Sequence, residues 1–149
     1  MDNFYIREAN PDDLSALLNL YSQLHPDEVF VRERDAENIF LEILADKRHH
    51  VLVGIKDDSF VSSCVLLIVP NLTRGCRPYA LIENVITEKS HRRKGYATAV
   101  LDFARSIAER ENCYKIMLMT SRKDDATLRF YKNTGYNSDD KTAFVIRLR

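Results

Sequence analysis

The chain has 149 residues, enough for one domain with a real core and too few for two ordinary ones. Its 22 basic and 22 acidic residues balance, and a composition 45% hydrophobic and 30% charged fits a soluble globular chain rather than a disordered one. No global basic field argues for nucleic acid, no apolar run can span a bilayer, and the opening MDNFYIREAN lacks a signal-peptide pattern, so the expectation is a cytoplasmic protein with neither a nucleic-acid nor a membrane partner.

Phe4 to Glu8 alternates as a short strand. Asn10 is placed to cap a helix, Pro11 suits its first position, and Asp12 and Asp13 complement its positive end. Leu14, Leu17, Leu18, Tyr21 and Leu24 form its apolar stripe, and His25-Pro26-Asp27 stops it. Val29 to Arg34 reads as a linker. Asp35 then caps a second helix with Ala36, Ile39, Phe40 and Ile43 on one face.

His50 to Lys56 and Phe60 to Val69 read as a hairpin turning at Asp57-Asp58-Ser59. CVLLIVPN is almost continuously apolar, so this strand should be buried on both faces until Pro70 ends it. Asn71 to Pro78 is a loop carrying Arg74 and Arg77, either a solvated tip or a place where an arginine meets an anion. Tyr79 to Thr87 is strand-like. Lys89 to Lys94 is a basic loop, followed by Gly95 and a helix with Ala97, Val100, Leu101, Ala104, Ile107 and Ala108 on one face. Tyr114 to Thr120 is a strand. Asp124 or Asp125 caps a last helix, Ala126 to Asn133, ended at Thr134-Gly135, and Ala143 to Leu148 is a closing strand. The order is β-α-α-β-β-β-α-β-α-β, an α+β domain spanning 1–149 with helices packed on a mixed sheet.

Three cysteines without CxxC spacing argue against a disulfide framework or zinc site, and the histidines form no ligand set, so no metal is expected. His49 and His50 point to opposite faces of a strand. Cys64 sits in an apolar run and is expected in the core.

A strand feeding a basic loop that opens a helix is suited to phosphates. The first helical N–H groups lack acceptors, Gly95 permits close backbone approach, and Arg92, Arg93 and Lys94 supply countercharge. By itself the loop is equally an ordinary strand-to-helix turn with solvated charges, and it is neither a Walker loop nor a dinucleotide fingerprint.

Arg92-Arg93-Lys94-Gly95-Tyr96-Ala97 resembles the Arg/Gln-x-x-Gly-x-Gly/Ala pyrophosphate loop of the GNAT N-acetyltransferases. Ile82-Glu83-Asn84-Val85-Ile86 resembles that family's acetyl-CoA strand. Cys113-Tyr114-Lys115-Ile116 and Phe130-Tyr131-Lys132-Asn133-Thr134-Gly135-Tyr136 resemble its next strand and its Phe-Tyr-x-x-x-Gly-Tyr/Phe helix end. These segments cover about Tyr79 to Tyr136, and within the superfamily they look most like glucosamine-6-phosphate N-acetyltransferases and small bacterial enzymes similar to them.

The resemblance implies a three-layer α/β/α fold. Its central sheet would be mixed and mostly antiparallel, with one splayed parallel pair and helices on both faces. It implies acetyl-CoA as cosubstrate, held by Val85, Ile86 and Thr87 along the strand and by Arg92, Arg93, Lys94, Gly95, Tyr96, Ala97 and Thr98 at the loop. It implies an amine acceptor, with Glu83, Asn84, Arg74 and Arg77 as contact candidates, and a homodimer. Asn84 stands where the sugar-phosphate enzymes usually carry Asp. An amino sugar phosphate is therefore one acceptor among others, including peptides, amino acids and aminoglycosides. A non-catalytic acyl-CoA-binding module is the rival reading.

Acetyl transfer from a thioester needs a neutral amine, and an alkyl amine with a pKa of ~10.4 is neutral in roughly 1 in 2,500 molecules at pH 7. Glu83, in an otherwise apolar strand, could accept that proton through water or hold the ammonium; equally it could be a structural edge carboxylate. Tyr131 could hydrogen-bond the departing thiolate, since a phenol of pKa ~10 is a donor to a thiolate whose acid has a pKa near ~8.5; equally it could be an aromatic on the helix's buried face. No Cys, Ser or Lys arrangement suggests a covalent acetyl-enzyme, so direct transfer in a ternary complex is expected.

Overall fold

The computed structural model describes residues 3–26 and 33–149. Asp27 and most of the expected linker at Val29 to Arg34 lie outside them. The chain divides into two compact units, residues 1–117 and 118–149.

The first unit is organised by a sheet with strand order β1-β2-β3-β4-β5. Its strands are β1 (Phe4–Glu8), β2 (His49–Lys56), β3 (Ser59–Val69), β4 (Tyr79–Thr87) and β5 (Ile116–Leu118), the last at the unit boundary. The first three pairings are antiparallel. β4 and β5 run parallel: Tyr114 N–H donates to Pro78 O and Ala80 N–H to Lys115 O, both at 3.0 Å, so the bonds advance the same way along both segments. The expected strand Tyr114 to Thr120 is thus realised over three residues only.

The helices of this unit are α1 (Leu14–Tyr21), α2 (Glu33–Ala45), a single turn α3 (Thr73–Cys76) and α4 (Tyr96–Arg110). Asn10 Oδ1 accepts from Asp12 N–H at 3.0 Å and Asp13 Oδ2 from Asn10 N–H at 2.8 Å, closing a capping box around a 3-10 turn, Pro11–Asp13, that leads into α1. α2 already includes Glu33, so Asp35 lies inside its first turn rather than capping it; there its charge complements the helix dipole. Arg74 and Gly75 both take left-handed φ, +56° and +68°, which keeps α3 from propagating.

The period of two along β2 assigns the layers. Val51, Val53 and Ile55 pack with Leu17 of α1 and Phe40 of α2. Gly54 faces the other way, where a Cβ would stand 3.1 Å from the Phe4 ring and 3.2 Å from Val100 of α4, so glycine is what lets α4 settle on the sheet. Helices therefore cover both faces. Val61 to Leu66 of β3 are all buried, as its apolar run implies. Cys64 is in this core, and burial pushes its thiol up to about 12. Asp57 and Asp58 turn the β2–β3 hairpin with φ of +47° and +63°, the primed-turn geometry that matches strand twist.

The second unit holds α5 (Asp125–Asn133). Asp124 caps it, accepting from Thr127 N–H at 3.0 Å, and Gly135 (φ +101°) ends it while Tyr136 N–H returns to Tyr131 O at 3.1 Å. The expected closing strand at Ala143 to Leu148 is not formed. Among the described residues the segment joins no ladder, and Phe144 and Ile146 are 90% and 83% exposed. Alternation marks strand-forming side chains, but a strand also needs a partner for its backbone groups.

Candidate active site

Strand β4 carries a β-bulge at its middle. Glu83 pairs with Val65 and Ile86 with Ser63, leaving Asn84 and Val85 opposite Cys64 alone. Asn84 accommodates the extra residue with φ +53°, a left-handed conformation that asparagine tolerates better than most side chains. The buried Ser62 secures the strand beyond the bulge: its hydroxyl donates to Ile86 O at 3.0 Å and lies 3.0 Å from Thr87 Oγ1. The bulge sets Asn84 and Val85 apart from the β3 register and brings Asn84 to the same cavity as Glu83, both side chains being exposed.

That cavity, of about 370 Å³, lies under α1 and α2, with Leu17, Phe40, Leu67 and Leu81 among its walls. Register explains the placement of Glu83. Val51, Val65 and Glu83 form one row across three strands, and His49, Leu67 and Leu81 form the next. The carboxylate thus stands at the end of an apolar row, and no hydrogen bond or ion pair joins it to any described residue.

Past β4 the chain makes a tight turn. Glu88 caps Lys89–His91, accepting from Ser90 N–H at 2.8 Å, from the Ser90 hydroxyl, and from His91 Nδ1 at 2.8 Å. The Ser90 hydroxyl first, then His91, hold the Glu88 carboxyl down at about 2. Arg92 Nε donates to Thr87 O at 3.2 Å, and Lys89 N–H donates to the side chain of Gln23 at 2.9 Å.

Gly95 opens α4 with φ +86°, and a Cβ there would meet nothing within 4 Å. Positive φ, rather than crowding, is thus what requires glycine inside this chain. α4 has no side-chain cap, and its first internal bond is Ala99 N–H to Gly95 O at 3.0 Å, so the N–H groups of Tyr96, Ala97 and Thr98 have no acceptor within the helix. Tyr96 is buried, its ring 4.7 Å from that of Phe4, which anchors the helix end. Arg92, Arg93 and Lys94 are exposed beside the open end. Free donors, a helix dipole and three cations together fit a polyanion such as a pyrophosphate.

The other candidates fall elsewhere. Arg77 donates to Asn112 O at 3.2 Å and Cys113 O at 3.1 Å, tying the start of β4 to the segment before β5. Arg74 lies 5.7 Å over the Tyr114 ring. Tyr131 belongs to the second unit, partly buried on α5, with Phe130 5.1 Å and Tyr136 6.4 Å away between ring centres. Among the described residues no group of three or more His, Cys, Asp or Glu gathers to hold a metal ion. Sequence reasoning missed Gln23, Ser62 and Glu88. Glu88 was legible from Ser90 two residues on, a local capping signal; Gln23 acts across 66 residues and leaves no local trace.

The bulged strand, the uncapped helix and the basic loop are what acetyl-CoA-dependent transfer calls for, and residues 14–136 match the profile of the acetyltransferase (GNAT) family. The chain belongs to that family and is an acetyl-CoA-dependent acetyltransferase. It is 33% identical over 142 residues to a glucosamine 6-phosphate N-acetyltransferase of Trypanosoma brucei brucei, covering 91% of this chain and 90% of that one. A solved structure from Agrobacterium tumefaciens str. C58, of a protein provisionally named an acetyltransferase, is 41% identical with a TM-score of 0.92, covering 97% and 99% of the two chains. The glucosamine-6-phosphate N-acetyltransferase of Arabidopsis thaliana shares the fold, with a TM-score of 0.84 at 20% identity and 99% of each chain covered.

Proposed function

We propose that this chain, as one catalytic domain over residues 1–149, transfers the acetyl group of acetyl-CoA directly to the primary amine of a small molecule. The observation that carries the reading is strand β4, which holds at the edge of its bulge a carboxylate with no partner among the described residues, facing a cavity, and leads into the uncapped, cation-flanked end of α4.

Acetyl-CoA supplies an activated thioester when bound; the chain supplies placement, charge and proton handling. Arg92, Arg93 and Lys94, with the N–H groups of Gly95, Tyr96, Ala97 and Thr98, hold the pyrophosphate. Val85, Ile86 and Thr87 offer backbone groups to the pantetheine arm, as one strand offers them to another. The N–H near Val85, outside the β3 register, polarises the acetyl carbonyl as its oxygen gains negative charge. Glu83 holds the ammonium and accepts its proton through water, and Asn84 lies beside the acceptor. The hydroxyl of Tyr131 hydrogen-bonds the sulfur as the thioester breaks. Arg74 and Arg77, engaged with Tyr114 and with two backbone carbonyls, are given no part in acceptor binding.

A narrower reading takes the acceptor to be an amino sugar phosphate, favoured by the name of the 33% identical relative. The proposal also includes a homodimer in the cytoplasm. What supports association is the exposed, strand-patterned tail around Phe144 and Ile146, whose backbone and apolar groups a second copy could pair. Light scattering should then report particles of twice the 17.3 kDa chain mass. For the activity, a panel of primary amines is incubated with acetyl-CoA, reading free CoA thiol and N-acetyl product by mass spectrometry. Equimolar, amine-dependent formation of both is expected. CoA release indifferent to every amine would contradict the reading.

A further inference from the structure

The cavity beside the bulge is apolar well beyond what a sugar needs. Leu17 of α1, Phe40 and Ile43 of α2, and Val65, Leu67 and Leu81 of the sheet all face it. Its polar contributors are Tyr21, His49, Glu83 and Asn84, and among the described residues no lysine or arginine lines it. Its volume of about 370 Å³ lies in the range of small-molecule sites.

Two physical costs bear on what can enter. A phosphate dianion brought against leucine and phenylalanine loses hydration, and none of the described lining residues is a lysine or arginine that would partner it. The Glu83 carboxylate in the same wall would repel it as well. Sugar hydroxyls facing Leu67 and Leu81 would likewise give up water for side chains that cannot hydrogen-bond. An ammonium meets the opposite situation. Glu83 offers it a carboxylate at the end of the Val51–Val65 row, and the neighbouring His49–Leu67–Leu81 row offers an attached hydrocarbon a surface to cover.

Resting on the N-acetyltransferase reading above, but against its narrower amino-sugar-phosphate form, we infer that this cavity is the acceptor pocket and that it selects a primary amine bearing a compact apolar body over an amino sugar or its phosphate. Glu83 fixes the charged end beside the bulge, and the apolar walls fix the rest of the molecule. The pocket thereby discriminates by the body of the acceptor, whereas the loop at Arg92 to Gly95 serves the acetyl donor.

The test compares initial rates of CoA release by the full-length protein for 2-phenylethylamine, isoamylamine, glucosamine and glucosamine 6-phosphate at saturating acetyl-CoA. The two apolar amines should exceed both sugars in kcat/KM by more than about 10-fold, the scale on which hydrophobic pockets discriminate. Leu81→Ser should erase most of that preference, and Leu81→Phe should penalise the bulkier 2-phenylethylamine more than isoamylamine, with acetyl-CoA calorimetry verifying that each variant is folded. A preference for glucosamine 6-phosphate, or an apolar preference untouched by both Leu81 substitutions, overturns the inference and leaves the acetyltransferase reading standing. Tight acetyl-CoA binding with turnover of none of the four amines also overturns it. A wild-type protein that binds no acetyl-CoA would overturn the reading beneath it.

Discussion

The side chain of Gln23 accepts a hydrogen bond from the Lys89 N–H at 2.9 Å, joining the end of α1 to the turn that precedes the basic loop. One end of this bond belongs to the helix that roofs the apolar cavity, and the other to the segment that positions Arg92 and Gly95. Gln23→Ala leaves the Lys89 N–H to water at an exposed site, so the stability cost should be about 1 kcal/mol or less. Acetyl-CoA affinity should weaken several-fold because the turn loses a fixed point, whereas Gln23→Glu, which keeps an acceptor, should restore most of it. Calorimetric titration of the two variants checks this.

Gly95 separates strain from charge. Both Gly95→Ala and Gly95→Glu place a Cβ at φ +86°, costing each roughly 1–2 kcal/mol, and the open space around that Cβ lets both variants fold. Only the glutamate adds a negative charge at the uncapped helix end. Acetyl-CoA binding should therefore fall modestly in Gly95→Ala and by at least about 10-fold more in Gly95→Glu. Equal losses in the two would remove electrostatics from the loop's role.

Glu83 and Tyr131 are assigned to different moments of the reaction, and their variants should fail differently. Tyr131→Phe keeps the ring and its contacts with Phe130 and Tyr136 while removing the hydroxyl. Turnover should fall by about 10- to 1,000-fold with acetyl-CoA affinity little changed, the pattern of an interaction made only as the bond breaks. Glu83→Gln should show its defect mainly at lower pH, where the amine is protonated, and recover as pH approaches the amine's own pKa. A flat defect across pH would leave Glu83 as a positioning residue.

The Arg7–Asp13 pair predicts part of the acid response. Burial pushes the Asp13 carboxyl up, but paired bonds from Arg7 at 2.6 and 3.1 Å, and one from the Asn10 N–H, together hold it below the ordinary value of 3.8. A carboxyl lowered in the folded state contributes stability that is present above its unfolded value and lost as pH falls through the folded one. The resistance of the wild type to urea should therefore weaken as pH drops below about 4. Asp13→Asn should cost roughly 1–3 kcal/mol at pH 7, and the gap to wild type should narrow toward pH 2.

Much of this fold was legible from local signals. Asn10-Pro11, the Asp57-Asp58 turn, the apolar run of β3 and the Gly95 loop each obey short-range rules, and each lies where those rules put it. What the sequence withheld depends on partners distant along the chain. The bulge exists because β3 offers one residue where β4 offers two, and no residue of β4 announces that count. Arg77 read as a solvated tip or an anion contact; its carbonyl partners, 35 and 36 residues away, have no sequence mark. The closing strand was misjudged for the same reason, since its side-chain pattern is right and no described residue pairs with its backbone.

In the proposed reaction acetyl passes directly from thioester to amine, with no acetylated side chain between them. Initial rates of CoA release, measured across a grid of acetyl-CoA and amine concentrations, test it most directly. Direct transfer gives intersecting double-reciprocal lines and a chain mass of the isolated enzyme unshifted by acetyl-CoA alone. Parallel lines together with a stoichiometric acetyl adduct formed before amine is added would contradict it.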